Sequence, residues 1–388
     1  MIYLDHHATT PLDAAAMAAM LPWMSQQFGN PHSHTHQPGR IAAIEVERCQ
    51  KQIASLIGCH WQSIVVTGGA TESNNLAIDG VMRHPRQKRR HIITATTEHP
   101  AVLDPVTRLG RDGFRVTVLP VFQQGDARCG QIDLDVLRNT IDDDTALVSI
   151  MAANNEIGTI QPIHDIALIV HDAGAVLHCD ATQAVGRLAI DLDAIDIDLL
   201  SASAHKFYGP MGVGLLAIGS KRRVRLRPIV EGGGQQFGLR SGTVNVPGLV
   251  GMAEALRICI ENLEPDRKRQ RQLRDHLYDA LESTIPGLML NGPPLDDDSI
   301  RLFNNVNVSM ANVEGESIMA TAGEIAISSG SACSSVDPRP SHVLTAIGLS
   351  ESRARRSLRF GLGRFTTEQE IDAAVAMMVV AHEKLAPR

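Results

Sequence analysis

The sequence predicts an α/β protein, with a large portion built on a mainly parallel sheet flanked by helices and a smaller α+β portion after it. Three observations carry that prediction. From residue 40 to about 230, short apolar runs alternate with helical stretches, the order that lays helices on both faces of a parallel sheet. The runs at 63–67, 91–95, 115–119, 146–151, 175–179, 198–201 and 212–218 are mostly continuous rather than alternating in polarity, as expected of strands covered on both sides. Past Val230 the alternation stops, and Gly232-Gly233-Gly234 opens a segment of different character.

The elements follow in order. The first forty residues resemble neither block and are expected to form an arm that packs back on the smaller domain. Ile41, Ile44, Ile53, Leu56 and Ile57 share a broad helical face over 41–57, and Gly58 suits the position just past a helix end. Helical stretches at 132–139 and 164–173 separate later strands. Beyond Val230 the stretch 247–285 is long, charged and helix-like, 301–310 reads as a strand, and 316–322 as a short helix. A Gly/Ser loop and a final helix from Thr367 complete the chain. At 388 residues two domains are expected: an arm at 1–40 belonging to the smaller one, a large domain at 41–245, and a small C-terminal domain at 246–388.

Composition excludes several classes. An apolar share of 44% with 20% charged residues is that of a globular protein, not a disordered or fibrous one. A net charge of −7 gives no general electrostatic reason to bind nucleic acid or an anionic membrane. The strongly apolar runs, such as 373–381, are far short of a bilayer span. The first ten residues hold Asp5 and paired histidines where a secretory signal needs a basic stretch and an apolar core, so a soluble, cytoplasmic protein is expected. Six scattered cysteines without a C-x-x-C pair make no disulfide framework. Cys49, Cys59 and Cys259 read as small buried residues; only Cys333 has surroundings that argue otherwise.

Chemistry gathers at four places. Thr67-Gly68-Gly69-Ala70-Thr71-Glu72 follows a strand and starts a helix, so that glycines and free N–H groups can cradle a phosphate, with Thr71 adding a hydroxyl. A glycine turn into a capped helix reads equally well. Asp180 follows an apolar strand, where alone it reads as a helix cap. Lys206 comes after the next strand among small residues and His205. There it is either an imine-forming lysine with a lowered pKa or one that snorkels to solvent. Together, cradle, aspartate and lysine are what pyridoxal phosphate requires: an anion site, a carboxylate for the pyridine nitrogen and an amine for the aldehyde. His99 could stack on the ring and move protons. In 328–335, small residues flank Cys333 and leave its thiol unhindered, although a Ser/Gly linker containing a cysteine would look the same.

The chain resembles the cysteine desulfurases of the NifS/IscS type, in the class V, fold-type I group of pyridoxal-phosphate enzymes. The resemblance runs through Tyr3-Leu4-Asp5, Ala8-Thr9-Thr10-Pro11, Phe28-Gly29-Asn30-Pro31, Gly69-Ala70-Thr71-Glu72-Ser73-Asn74 and Thr97-Glu98-His99. It continues through Asn154-Asn155-Glu156-Ile157-Gly158, Asp180-Ala181-Thr182-Gln183, His205-Lys206, Arg240-Ser241-Gly242-Thr243, Ser329-Gly330-Ser331-Ala332-Cys333 and Arg359-Phe360. It implies Lys206 as the Schiff-base lysine, Asp180 on the pyridinium and Gln183 on the ring hydroxyl, with Ala70, Thr71, Ser203 and His205 on the phosphate. Thr243 is implied to reach the neighbouring subunit's phosphate, hence a homodimer with shared sites. Asn155 is implied to bind the cofactor as well as the amino-acid substrate and Arg359 to take the substrate's carboxylate, with Asn30 a further member of that pocket.

The implied reaction turns L-cysteine into L-alanine. Lys206 removes the α-proton, His99 takes up a substrate proton, and Cys333 accepts the sulfur as a persulfide. Acceptor proteins then carry sulfur to iron–sulfur clusters, tRNA or DNA, so that nucleic acid is met only indirectly. A selenocysteine lyase, or another class V lyase or aminotransferase, is the neighbouring reading; an idle docking subunit is the reading from another class.

There are departures. His6-His7 stands where the family often has Tyr-Ser or Asn-Asn, near the substrate region, where it is expected to alter the local charge. His32, His34 and His36 alternate without an acidic or cysteine ligand, so no metal site is expected. The tail that docks an iron–sulfur scaffold in IscS-type members is not seen, while the stretch 332–344 is long. Of two basic clusters, 221–227 reads as a charged edge strand and 83–90 as a solvated loop.

Overall fold

The computed structural model describes residues 1–329 and 340–386. Seven strands form the large sheet, in the order Ile64–Thr67, Gly214–Ile218, Leu199–Ser203, Val176–Asp180, Thr145–Ser149, His91–Ala95 and Arg115–Leu119. All run parallel except Gly214–Ile218, which is antiparallel to both neighbours. Each of the seven apolar runs is therefore a strand. Most are buried along their whole length, whereas the edge strand Arg115–Leu119 is largely uncovered and begins with a charge that discourages further pairing.

Helices cover both faces. On one, Leu76, Ala77, Ile78 and Val81 of the helix Ala70–Met82 pack on Val65, Ile92, Leu147, Leu199 and Leu216. On the other, Ile53 and Ile57 of Gln37–Ile57, Ile166 and Val170 of Ile163–Asp172, and Leu249 and Leu256 of Val246–Glu261 pack on Val66, Val148, Leu177, Leu200 and Leu215. Parallel order puts the carboxyl ends of six strands along one rim, where α/β sheets collect their ligands.

A second apolar core lies around an antiparallel sheet of Ser328–Ser329, Ser357–Gly361, Asn305–Ser309 and Met289–Leu290, covered by the helices Leu263–Thr284 and Glu368–Leu385. Thr367 and Glu370 close a reciprocal cap on the last helix, as expected of a helix beginning there. The N-terminus joins this unit: Ile2–Tyr3 pairs with Ile325–Ala326, and Leu4 enters its core. The helix Ala14–Ser25 packs instead on Val246–Glu261, so the arm touches both cores.

Two readings are corrected. The stretch 247–285 is two helices, Val246–Glu261 and Leu263–Thr284, meeting at Asn262. Pro265 explains the break, because its ring would strike the carbonyl four residues back, whereas in the first turn of a new helix its missing N–H costs nothing. Residues 221–227 form no strand. Leu226 is buried instead against Gly80 of the helix Ala70–Met82, and Arg227 N–H donates to the Gly80 carbonyl. The 83–90 segment is a loop with internal duties: Arg89 donates to the carbonyls of Thr145, Ala173 and Gly174, and Arg90 lies 4.0 Å from the Phe114 ring centre. His36 caps the helix Gln37–Ile57 by accepting the Gly39 N–H.

Candidate active site

A cavity of about 880 Å³ opens at the carboxyl rim of the large sheet. Ala70, Thr71, His99, Asn155, Asp180, Gln183, Ser203, His205, Lys206 and Arg359 all line it, although they come from parts of the chain as distant as residues 70 and 359. Ala70, Thr71 and His99 come from helix starts, Asp180 and Ser203 from strand ends, His205 and Lys206 from the short turn after a strand, Asn155 and Gln183 from turns, and Arg359 from the middle of a small-sheet strand.

The cradle is built as its sequence suggests. Gly69 sits at φ +147, a conformation L side chains rarely adopt, and it precedes the helix Ala70–Met82 with no side chain capping the helix start. The first amides of that helix thus face a cavity edged by the hydroxyls of Thr71 and Ser203 and by His205, a positive pole suited to an anion. His205 Nδ1 lies 3.1 Å from Thr9 Oγ1. Burial, reinforced by the charges of Lys206 and Arg187, lowers its pKa to about 4 and keeps the ring neutral at neutral pH.

Asp180 ends its strand. Its Oδ2 accepts from Asn74 Nδ2 at 2.7 Å and its Oδ1 from the Thr182 N–H at 3.0 Å. Lys206 occupies the turn Ala204–Lys206 directly after Leu199–Ser203, and its Nζ donates to the carbonyls of His7 at 2.8 Å and Ala8 at 2.5 Å. His99 caps the helix Pro100–Arg111: its Nδ1 accepts the Ala101 N–H at 3.0 Å, so the neutral ring carries its proton on Nε2. Burial lowers the pKa of this imidazole.

Arg359 lies on the strand Ser357–Gly361 opposite Ser328 in register. Its Nη2 pairs with Asp5 Oδ1 at 2.8 Å and its Nη1 donates to the Asn155 carbonyl at 3.1 Å, while the buried Nε has no partner among the described residues. Asn74 Oδ1, Thr182 Oγ1 and His7 Nε2 are likewise buried and unpaired among the described residues, and all three residues line the cavity. An anion cradle, a strand-end carboxylate, a lysine and unsatisfied polar atoms on the walls fit pyridoxal 5'-phosphate.

Three expected residues are not in this group. Asn30 is exposed, uses its Oδ1 to accept the His32 N–H, and does not line the cavity. Thr243 is also exposed and outside it. Its segment is tied to the cradle, because Arg240 Nε donates to Glu72 Oε1 at 2.8 Å while Glu72 Oε2 accepts the Gly68 N–H. Cys333 lies outside the described residues. Asn74, given no role from the sequence, lines the wall, as does His7, expected from the sequence only to lie near the substrate; Glu98, also without an expected role, is fully buried. Its Oε1 accepts the Met151 N–H, and burial pushes its pKa well up, which favours the neutral form of the carboxyl. The sequence marks Asn74 only as the last residue of the cradle motif 69–74, one turn into the helix.

Comparison with known proteins agrees with this geometry. The sequence model of the family described as Aminotransferase class-V matches residues 2–374. Cysteine desulfurase IscS of Rickettsia bellii (strain OSU 85-389) is 47% identical over 384 residues, covering 99% of this chain and 92% of that protein. The solved structure of a NifS-like protein superposes with a TM-score of 0.90 at 35% identity, covering 99% of this chain and all of that one. The structure of SspA in complex with cysteine superposes with a TM-score of 0.81 at 34% identity, over 95% of this chain and all of its own. The chain belongs to the class V aminotransferase family of pyridoxal-phosphate-dependent enzymes, and within it to the cysteine desulfurases.

Proposed function

We propose that this cavity desulfurates L-cysteine with the residues the sequence singled out, and that Cys333 receives the sulfur as a persulfide. One observation carries the reading: Lys206, Asp180, the open start of the helix Ala70–Met82 and Arg359 all face a single cavity. When bound, pyridoxal phosphate supplies the aldehyde that joins an amine and the electron sink for charge leaving the substrate's α-carbon.

The chain's own residues do the rest. Ala70, Thr71, Ser203 and His205 hold the phosphate, and Gln183 donates to the ring hydroxyl. Asp180, fixed by Asn74 and the Thr182 amide, holds the proton on the ring nitrogen. Arg359 and Asn155 bind the substrate, the guanidinium taking its carboxylate. Lys206 Nζ receives the α-proton, and the His7 and Ala8 carbonyls stabilise the ammonium so formed. His99, with its proton on Nε2, plays the donor's part toward substrate; the uptake expected from sequence would first require breaking its bond with Ala101. The Cys333 thiolate attacks the substrate sulfur: an S–S bond forms, the carbon–sulfur bond breaks, and its electron pair stays with the carbon skeleton, which leaves as alanine. Ser328 stands opposite Arg359, and five residues span at most about 17 Å, within reach of the cavity.

The assembly we propose is a homodimer in which Thr243 reaches the neighbour's phosphate. Exposed apolar side chains on the arm and the first long helix, among them Met17, Leu21, Met24, Phe28 and Ile44, support a face covered by a second copy. Asn30 is proposed to join the substrate pocket in that assembly. The domains are proposed as 1–40, 41–245 and 246–388, with Val246–Glu261 the part of the last that stays on the large core. The protein works in the cytoplasm and passes persulfide sulfur to acceptor proteins, serving iron–sulfur assembly or the thiolation of tRNA or DNA. No helix among the described residues is long and apolar enough to cross a membrane.

Cys333→Ala tests the reading. The variant is expected to keep the cofactor's yellow colour and to lose alanine formation from cysteine. Unchanged alanine formation would remove Cys333 as acceptor and favour a selenocysteine lyase or another class V lyase.

A further inference from the structure

Arg187 is a buried cation with no carboxylate hydrogen-bonded to it among the described residues. The side chain is 6% exposed, and every bond it makes is to a neutral acceptor: Nη1 to the Gln183 carbonyl at 3.3 Å and Gln183 Oε1 at 3.1 Å, Nη2 to the His6 carbonyl at 3.1 Å. It forms no ion pair with a described carboxylate. Such a charge costs several kcal/mol to bury, a cost that packing alone does not repay. The turn that places it is equally committed. Gly186 sits at φ +79, where an added Cβ would lie 2.7 Å from Phe207, so the chain can pass beneath the cavity only with glycine there.

What the cation does follows from donor and acceptor counts. A guanidinium only donates, so the Gln183 atom facing it is the oxygen. The amide nitrogen is thereby directed away from Arg187; one N–H donates to the His7 carbonyl at 2.9 Å, and a second remains for the cavity that Gln183 lines. His7 Nδ1 meets the same oxygen at 3.1 Å and must therefore carry the ring's proton. Arg187 thus sets the polarity of a whole wall: Gln183 can donate and cannot accept, and a positive charge stands one amide behind it. Asp180, three residues earlier, gives the same cavity its negative group.

We propose that Arg187 is a positioning residue, acting through Gln183, that fixes a hydrogen-bond donor and a positive potential on the wall facing the cofactor's ring oxygen. It rests on the reading of the cavity as the pyridoxal-phosphate site and adds to it a residue that touches neither cofactor nor substrate. A nearby cation favours the deprotonated form of a group, so Arg187 lowers the pH at which the bound cofactor's visible band titrates.

The test is the pH midpoint of that band in the holoenzyme, read by absorbance for the unsubstituted protein, Arg187→Met and Arg187→Lys. Loss of the charge is expected to raise the midpoint by about one unit, and lysine is expected to bring it back to within a few tenths of a unit. A folded Arg187→Met protein with the unsubstituted midpoint would overturn the proposal. Should methionine prevent folding, Gln183→Glu neutralises the guanidinium where it stands and is expected to raise the midpoint too; an unmoved midpoint there overturns it equally. An unsubstituted protein without any visible band would overturn the cofactor reading itself, which separates the two failures.

Discussion

Arg359 and Asp5 form an ion pair of 2.8 Å beside the cavity, and the same Asp5 oxygen accepts the Ser328 hydroxyl at 2.9 Å. One carboxylate therefore ties the N-terminal arm to the proposed carboxylate-binding arginine and to the residue five positions before Cys333. Asp5 is set in place by Ile2–Tyr3, whose pairing with Ile325–Ala326 brings the arm across the small sheet.

Asp5→Asn leaves the guanidinium almost buried without its counter-charge and free to turn. The expected result is a loss of about 3 kcal/mol in denaturant unfolding, together with a rise of about tenfold in the KM for cysteine and a smaller change in kcat. An unchanged KM would show that Asp5 does not orient Arg359 for substrate.

Asn74→Leu removes the only side chain that donates to Asp180 among the described residues. A buried hydrogen bond to a charged group is worth about 1.5–3 kcal/mol, so turnover with cysteine is expected to fall about tenfold or more. Cofactor released on dialysis should increase as well. Equal turnover and retention would mean that Asp180 is held well enough by the Thr182 amide.

Much of this arrangement is legible in the chain. The strands can be read because burial on both faces makes their apolar runs nearly continuous, and Asp180 and Lys206 because they stand at or just past the ends of such runs. The contacts that give those residues their states are not legible. Asn74 is 106 residues from Asp180 and is brought to it by the order of the large sheet; His7 is 176 residues from Gln183 and is brought to it by the arm's pairing with the small domain. The helix break at Asn262 is a different failure, since Pro265 announces it and the apolar and charged pattern on either side conceals it. The 221–227 segment misleads for a third reason: its alternation comes from one buried leucine among arginines and not from a pleated strand.

His178 offers a pH test away from the cavity. It lies between Ser149 Oγ at 2.8 Å and Ser201 Oγ at 3.0 Å, and burial lowers its pKa to about 4. A histidine held neutral in the fold contributes fully above its unfolded pKa of about 6.5 and loses that contribution as the pH falls toward its folded value. The stability cost of His178→Asn, measured by urea unfolding, is therefore expected to be about 2 kcal/mol smaller at pH 5 than at pH 7.5. A cost independent of pH would show that the ring is not kept neutral.

The most direct measurement is borohydride reduction of the protein after incubation with pyridoxal phosphate, followed by mass mapping of the lysines. A stable phosphopyridoxyl adduct on Lys206, absent from Lys206→Ala, is the expected result. Label confined to other lysines, or none at all, would contradict the assignment of the chemistry to this cavity.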